Sequence, residues 1–206
     1  MAEHREFFYR RLHSLLGVIP IGLFLIEHLI VNHFAVYGEE SFNQAASFVD
    51  NLPFRLLLEI VLIYLPILFH GILGVYIVFI GKSNTTRYGF FRNWMYLLQR
   101  ITGIVTFVYI IWHVWETRIQ IGLGNEPLDY SLMEDILSNP LMFWFYIIGL
   151  LAATFHFSNG LWSFMVTWGF TQSPRSQKVL TYITMIVFLA LSYLGVRALI
   201  QFAYGV

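Results

Sequence analysis

Five stretches of this chain are each long and apolar enough to cross a lipid bilayer, and few folds survive that constraint. A spanning helix needs about 20 mostly apolar residues. The stretches cover residues 12–36, 55–80, 94–118, 141–168 and 178–204, and polar linkers with glycine, proline or asparagine separate them. Backbone N–H and C=O groups find no partners in hydrocarbon, so each stretch must satisfy its own as a helix. The expectation is an all-α integral membrane bundle of five transmembrane helices, a single domain over residues 1–206. Composition agrees: 58% of residues are hydrophobic and 12% charged, against about 45–50% and about 25% in soluble domains. The basic start, MAEHREFFYRR, resembles the head of a signal peptide. The apolar stretch after it is too long for one and lacks a small-residue cleavage pattern, so it is expected to stay as the first span.

Several function classes drop out. Net charge is zero, which offers nucleic acid no basic face. There is no cysteine, hence no disulfide, thiolate zinc site, Cys-ligated iron–sulfur cluster or c-type haem attachment. No dinucleotide-binding glycine pattern and no sizeable soluble segment are present. No catalytic residue is therefore expected in this chain.

The basic residues alternate between the two ends of the spans. Arg5, Arg10 and Arg11 precede the first; Lys82, Arg87 and Arg92 lie between the second and third; Arg175 and Lys178 lie between the fourth and fifth. The other two linkers are acidic, with Glu39, Glu40 and Asp50 in one and Glu126, Asp129, Glu134 and Asp135 in the other. By the positive-inside rule the N-terminus lies in the cytoplasm and the C-terminus outside. Trp94, Trp115, Trp168 and Tyr204 at span ends suit interfacial belts.

Four of the seven histidines fall well inside spans, one each in the first four: His28, His70, His113 and His156. An ionisable side chain inside a bilayer is costly and usually has a partner. At about 1.5 Å of rise per residue, His28 lies roughly 24 Å outward from Leu12 and His113 roughly 28 Å outward from Trp94. His70 lies roughly 15 Å from the cytoplasmic end at Ile80, and His156 roughly 18 Å from Trp168. The four sort into an outer pair, His28 with His113, and an inner pair, His70 with His156, at levels differing by on the order of 10 Å. Two imidazoles at one depth on facing helices suit the axial positions of a haem iron, and ligation removes the cost of an unpaired polar group. Taken singly, each histidine is equally accounted for by a hydrogen bond to a neighbouring helix or a place on a proton path.

Other residues bear on the same chemistry. Gly74 and Gly160 follow His70 and His156 by four, so they share a helix face with them and leave room for a porphyrin; such small residues also serve plain helix packing. Asn32 and Thr117 occupy the matching positions after His28 and His113. Pro66 is expected to free a backbone carbonyl or bend the second span. His13 lies about 22 Å inward of His28, where it meets the inner cofactor edge or a quinone. With Arg10, Arg11 and Ser14 it suits anionic haem propionates, or lipid headgroups. His4 is expected to be exposed and His33 interfacial. Glu27, Asn32, Glu59, Trp112, Glu116 and Arg118 lie towards the outer face, where an acid could relay protons to a reduced quinone; Arg55 and Glu59 also suit a plain helix pair.

The runs REFFYRRLHSLLGVIP, LPFRLLLEI, FRNWMYLLQRITGI, WHVWETRI, FHFSNGLWSF and QSPRSQK closely resemble the cytochrome b-558 family of succinate dehydrogenase membrane anchors from Bacillus-type bacteria, over nearly the whole chain. The resemblance implies a multi-pass subunit of the bacterial cell membrane, carrying two haem b, in the enzyme that links the tricarboxylic acid cycle to electron transport. It implies a flavoprotein and an iron–sulfur protein as partners on the cytoplasmic side. Electrons would pass from the iron–sulfur protein through an inner, higher-potential haem held by His70 and His156. They would then cross an outer, lower-potential haem held by His28 and His113 and reach menaquinone near it. Related fumarate reductase anchors carry an acid just before the fourth-span ligand. Thr154 and Phe155 stand there instead, so that role does not carry over. Two other readings of the residues remain: a dihaem anchor for a hydrogenase or formate dehydrogenase, and a cofactor-free transporter. Against the transporter, the chain lacks paired broken spans and internal repeats.

Overall fold

The computed structural model describes residues 2–206, with side chains from Arg5 onward; His4 lies outside the described side chains. Among the described residues, five helices are long and apolar enough to cross a membrane and no strand occurs. Seven helices matter here: α1 (Arg5–Tyr37), α2 (Glu39–Asp50), α3 (Arg55–Ile80), α4 (Phe91–Gly122), α5 (Tyr130–Ser138), α6 (Pro140–Thr167) and α7 (Pro174–Tyr204). The spans are α1, α3, α4, α6 and α7. Three of them run past the apolar stretches, α1 starting earlier, α4 reaching from Phe91 to Gly122 and α7 starting at Pro174. A helix satisfies its own backbone and so need not stop where hydrocarbon does.

Local sequence explains the ends. Asn139 accepts a hydrogen bond from Leu141 N at 2.9 Å, with Pro140 opening α6. Ser173 caps Ser176 N at 3.1 Å, with Pro174 opening α7. Both combine a capping oxygen with a proline whose missing N–H needs no partner in the first turn. Gly38 closes α1 at φ 105°, and Gly205 closes α7 at φ 67°, conformations that favour glycine. Pro20 is accommodated within α1 at the start of its second segment, Pro20–His33. In α3 the stretch Glu59–Tyr64 widens to π-helix immediately before Pro66, which absorbs the hydrogen bond that the proline cannot make. A second π-helical turn, Trp115–Ile119, lies near the end of α4, before its last residues Gln120–Gly122.

The bundle is built around α6. In its most apolar stretch 44% of residues are buried, against 6% in α3 and none in α4. Gly149 and Gly195 bring neighbours close: a Cβ on Gly149 would collide with the Tyr109 ring, and one on Gly195 would stand 2.6 Å from a Leu150 methyl. Thr154 and Ser192, both buried, share a hydrogen bond of 2.9 Å across α6 and α7. Such bonds between spans help fix helix register in hydrocarbon. At one end of α7, Phe42 of α2 and Tyr130 of α5 pack on Phe202, with ring centroids 5.1 and 4.8 Å away. Tyr130 also donates to Gln201 O at 3.0 Å. The two short helices thus lie as a cover over that end. α3 and α4, by contrast, bury few residues fully, and their histidines turn towards α1 and α6.

Candidate functional site

The structure brings the intramembrane histidines together in two pairs. His70 of α3 and His156 of α6 have ring centroids 6.1 Å apart and planes crossed at 87°. His28 of α1 and His113 of α4 have centroids 5.8 Å apart and planes crossed at 73°. An imidazole nitrogen binds a metal at about 2.0 Å, and the centroid lies about 1 Å further back, so two rings across one ion stand roughly 6 Å apart. The spacing of both pairs fits a single metal between them. Among the described residues no group of three or more His, Asp or Glu side chains is arranged to hold a metal ion, so a metal between two imidazoles would take its remaining ligands from outside the protein.

The inner pair is held by its neighbours' backbones. His70 Nδ1 donates to His13 O on α1 at 2.9 Å, and His156 Nδ1 donates to Gln99 O on α4 at 3.0 Å. A carbonyl only accepts, so each Nδ1 carries the proton and each Nε2 keeps its lone pair for a metal. Each ring also lies against a glycine: a Cβ on Gly17 would collide with His70, and one on Gly103 would stand 2.8 Å from His156 Cε1. The two notches have one design. Gly17 and Gly103 each stand four residues after the accepting carbonyl, where a side chain would cover the approach to that oxygen. Gln99 completes the second notch, its Nε2 donating to His156 O at 2.9 Å and its Oε1 accepting from Asn159 Nδ2 at 2.8 Å.

The outer pair is held by side chains. His113 Nδ1 lies 3.3 Å from Tyr146 Oη, which donates to Glu116 Oε2 at 3.1 Å; Trp112 Nε1 donates to the same oxygen at 3.0 Å. With the tyrosine proton directed at the carboxylate, Tyr146 accepts from His113, and Nε2 is again the free nitrogen. The His113 ring stacks on Tyr109 with centroids 5.6 Å apart. His28 has the least support, a 3.4 Å contact from Asn32 Nδ2 to its Nε2, while Asn32 Nδ2 also donates to His28 O at 2.8 Å.

The two levels are further apart than span ends suggest. From Gly103 to His113 along α4, and from Tyr146 to His156 along α6, the rise is roughly 15 Å, not 10 Å.

The remaining candidates divide between the two levels. His13 stacks on His70 with centroids 3.9 Å apart and planes 7° from parallel, and its Nδ1 is buried without a hydrogen-bond partner. Arg10 pairs with Glu6 at 2.8 Å, both exposed. Arg11 lies over the rings of Phe7 and Trp168 at 4.9 and 5.1 Å, and Ser14 Oγ accepts from Trp168 Nε1 at 3.1 Å. Glu59 accepts from Arg118 at 2.9 Å, with Arg55 at 3.8 Å, so the acid links α3 to α4 through the two π-helical turns. A cleft of about 410 Å³ lies beside the outer pair, lined by Trp112, Trp115, Glu116, Gln120, Glu126, Leu132, Asp135 and Ile136. Glu27 is exposed. His33 Nδ1 donates to Leu194 O at 3.0 Å, which ties α1 to α7.

Residues 82–195 match the family described as Succinate dehydrogenase/Fumarate reductase transmembrane subunit. The succinate dehydrogenase cytochrome b558 subunit of Bacillus subtilis (strain 168) is 56% identical over 202 residues, 98% of this chain and 100% of that one. The chain belongs to this family of transmembrane subunits. Membership accounts for apolar helices that bury so little against one another: this is a multi-pass membrane protein, and lipid covers what the bundle does not. Sequence reasoning missed four residues of this subunit's site: Gly17, Gln99, Gly103 and Tyr146. Gly17 and Gly103 were readable as glycines four residues after a polar side chain on a span; Tyr146 carried no signal of its own.

Proposed function

We propose that this chain is the dihaem cytochrome b membrane anchor of a bacterial succinate dehydrogenase, a single five-span domain that relays electrons to menaquinone. One observation carries the reading: two imidazole pairs, each drawn from two different spans, stand about as far apart as two ligands on one metal, at two levels of a chain that belongs to this family. His70 and His156 hold the inner haem, and His28 and His113 the outer. Haem bound there would supply one-electron exchange, with these four imidazoles as its protein ligands.

The chain's own residues do the rest. The carbonyls of His13 and Gln99 fix the inner rings' tautomer and aim, as partners of metal-bound histidines commonly do. The apolar spans exclude water from both levels. Arg10, Arg11, His13 and Ser14 would serve the inner propionates, and the unpaired Nδ1 of His13 suits such an oxygen. Asn32, Glu59 and Glu116 would serve the quinone end, where the cleft lined by Glu116 is the candidate site for the ring. The flavoprotein and iron–sulfur subunits dock at the cytoplasmic side and carry out the dehydrogenation. The N-terminus is cytoplasmic and the C-terminus outside, as the alternation of basic and acidic linkers requires.

The test is a redox-titrated optical spectrum of the purified complex with haem counted per polypeptide. Two b-type haems per chain, co-purifying with a covalent-flavin protein and an iron–sulfur protein, are the expected result. A colourless folded complex, or a nickel or molybdenum partner, overturns the proposal.

A further inference from the structure

The two levels differ in what stands behind the histidines. Behind the inner pair are neutral carbonyls of the backbone, His13 O and Gln99 O. Behind His113 is a chain of two side chains ending in a charge: His113 Nδ1–H to Tyr146 Oη at 3.3 Å, then Tyr146 O–H to the Glu116 carboxylate at 3.1 Å. Tyr146 is 1% exposed, so water does not compete for its hydroxyl. We infer that Tyr146 and Glu116 are positioning residues that hold the outer haem's potential below the inner one, by passing the pull of a carboxylate to the His113 ring.

The inference rests on the ligand assignment proposed above. A hydrogen bond from a metal-bound imidazole towards an anion makes the ring a stronger donor, which favours the more oxidised iron. Tyr146 transmits this because one hydroxyl both accepts from the ring and donates to the carboxylate, each bond polarising the next. The route is sterically fixed. Tyr109 packs flat beneath His113 and edge-on to Tyr146, and Gly149 leaves room for it. Among the described residues no carboxylate is linked in this way to the inner rings: Gln99 is neutral and touches His156 at its carbonyl oxygen rather than at its ring, and His13 lies face to face on His70.

Three variants of the intact complex test this by redox-titrated optical spectra, with electron paramagnetic resonance to confirm bis-histidine ligation. Glu116→Gln and Tyr146→Phe both cut the link to the charge. Each should raise the outer haem's midpoint potential while leaving the inner one in place. The expected rise is enough for about a tenfold higher reduced-to-oxidised ratio at fixed potential, or about 59 mV for one electron. Trp112→Phe removes the competing hydrogen bond on the same carboxylate and leaves the relay intact, so the outer potential should not rise; general loosening of this region would raise it in all three. Unmoved potentials in Glu116→Gln, or equal movement of both haems, overturn the inference while two haems per chain leave the anchor reading standing. Should Tyr146→Phe shed the outer haem, Glu116→Gln alone decides. A parent complex without two haems overturns the anchor reading itself.

Discussion

Replacing Gly103 with alanine separates this account from a looser one in which the histidines merely happen to be near each other. The new Cβ would stand 2.8 Å from His156 Cε1 and 3.1 Å from Nδ1, closer than carbon and ring atoms tolerate, so the ring must retreat. Overpacking of this kind costs about 1–3 kcal/mol. Retreat also stretches the 3.0 Å bond to Gln99 O, and a lost hydrogen bond costs a further 0.5–1.5 kcal/mol or about that. Together these come to about 1.5–4.5 kcal/mol, or roughly a 10- to 1,600-fold weaker hold on the inner haem at about 1.4 kcal/mol per tenfold. Haem counted per polypeptide, with the redox-titrated optical spectrum, reads the outcome. One haem should be lost or shifted, and the outer one, roughly 15 Å along α4, should persist as an internal check on folding. Gly160→Ala is the comparison: its Cβ would meet the Gln99 amide at 3.2 Å and neither histidine ring, and both haems should remain. Full retention of an unaltered inner haem in Gly103→Ala would refute the notch.

Three further outcomes follow from the same geometry. His70→Ala or His156→Ala should remove the inner haem alone, and His28→Ala or His113→Ala the outer alone, by optical spectrum; both haems remaining bis-histidine ligated in His70→Ala would break the pairing. Arg118→Gln leaves the half-buried Glu59 with only Arg55 at 3.8 Å, which should cost about 1–3 kcal/mol; the melting temperature of the detergent-solubilised complex should fall, and Glu59→Gln added to it should restore part of the loss in a double-mutant cycle. Periplasmic-type reporter enzymes joined within residues 39–50 or 123–139 should be active, and ones joined within residues 82–90 inactive; the opposite pattern would reverse the topology.

Depth was legible in the sequence because rise per residue is nearly constant and the charged linkers mark the sides. That was enough to match His28 with His113 and His70 with His156. What depth cannot supply is rotation, the neighbour each helix face meets. Gly74 and Gly160 share a helix with the inner histidines, and their nearest neighbours are His13 Cε1 and Gln99 Nε2, each at 3.2 Å; the glycines against the rings themselves lie on the neighbouring helices. The π-helical turn before Pro66 had a cause in the sequence; the one at Trp115–Ile119 had no such marker, yet it is there that Arg118 reaches Glu59.

The physical rule behind the notch makes its position recoverable. In an α-helix the carbonyl at i accepts from the N–H at i+4, and the side chain at i+4 covers that oxygen's flank. Glycine at i+4 uncovers it, so a donor from another helix can share the carbonyl without breaking the ladder. His13 with Gly17 and Gln99 with Gly103 are both that pair, and both meet a histidine Nδ1. The notch at Gly17 is the tighter of the two, since its Cβ would penetrate the His70 ring further than the Gly103 Cβ penetrates His156. Gly17→Ala should therefore weaken the inner haem at least as much as Gly103→Ala, although Gly17 lies on a helix that supplies no ligand to it. A Gly17→Ala complex with a normal inner haem would mean that the carbonyls, not the glycines, set the ring positions.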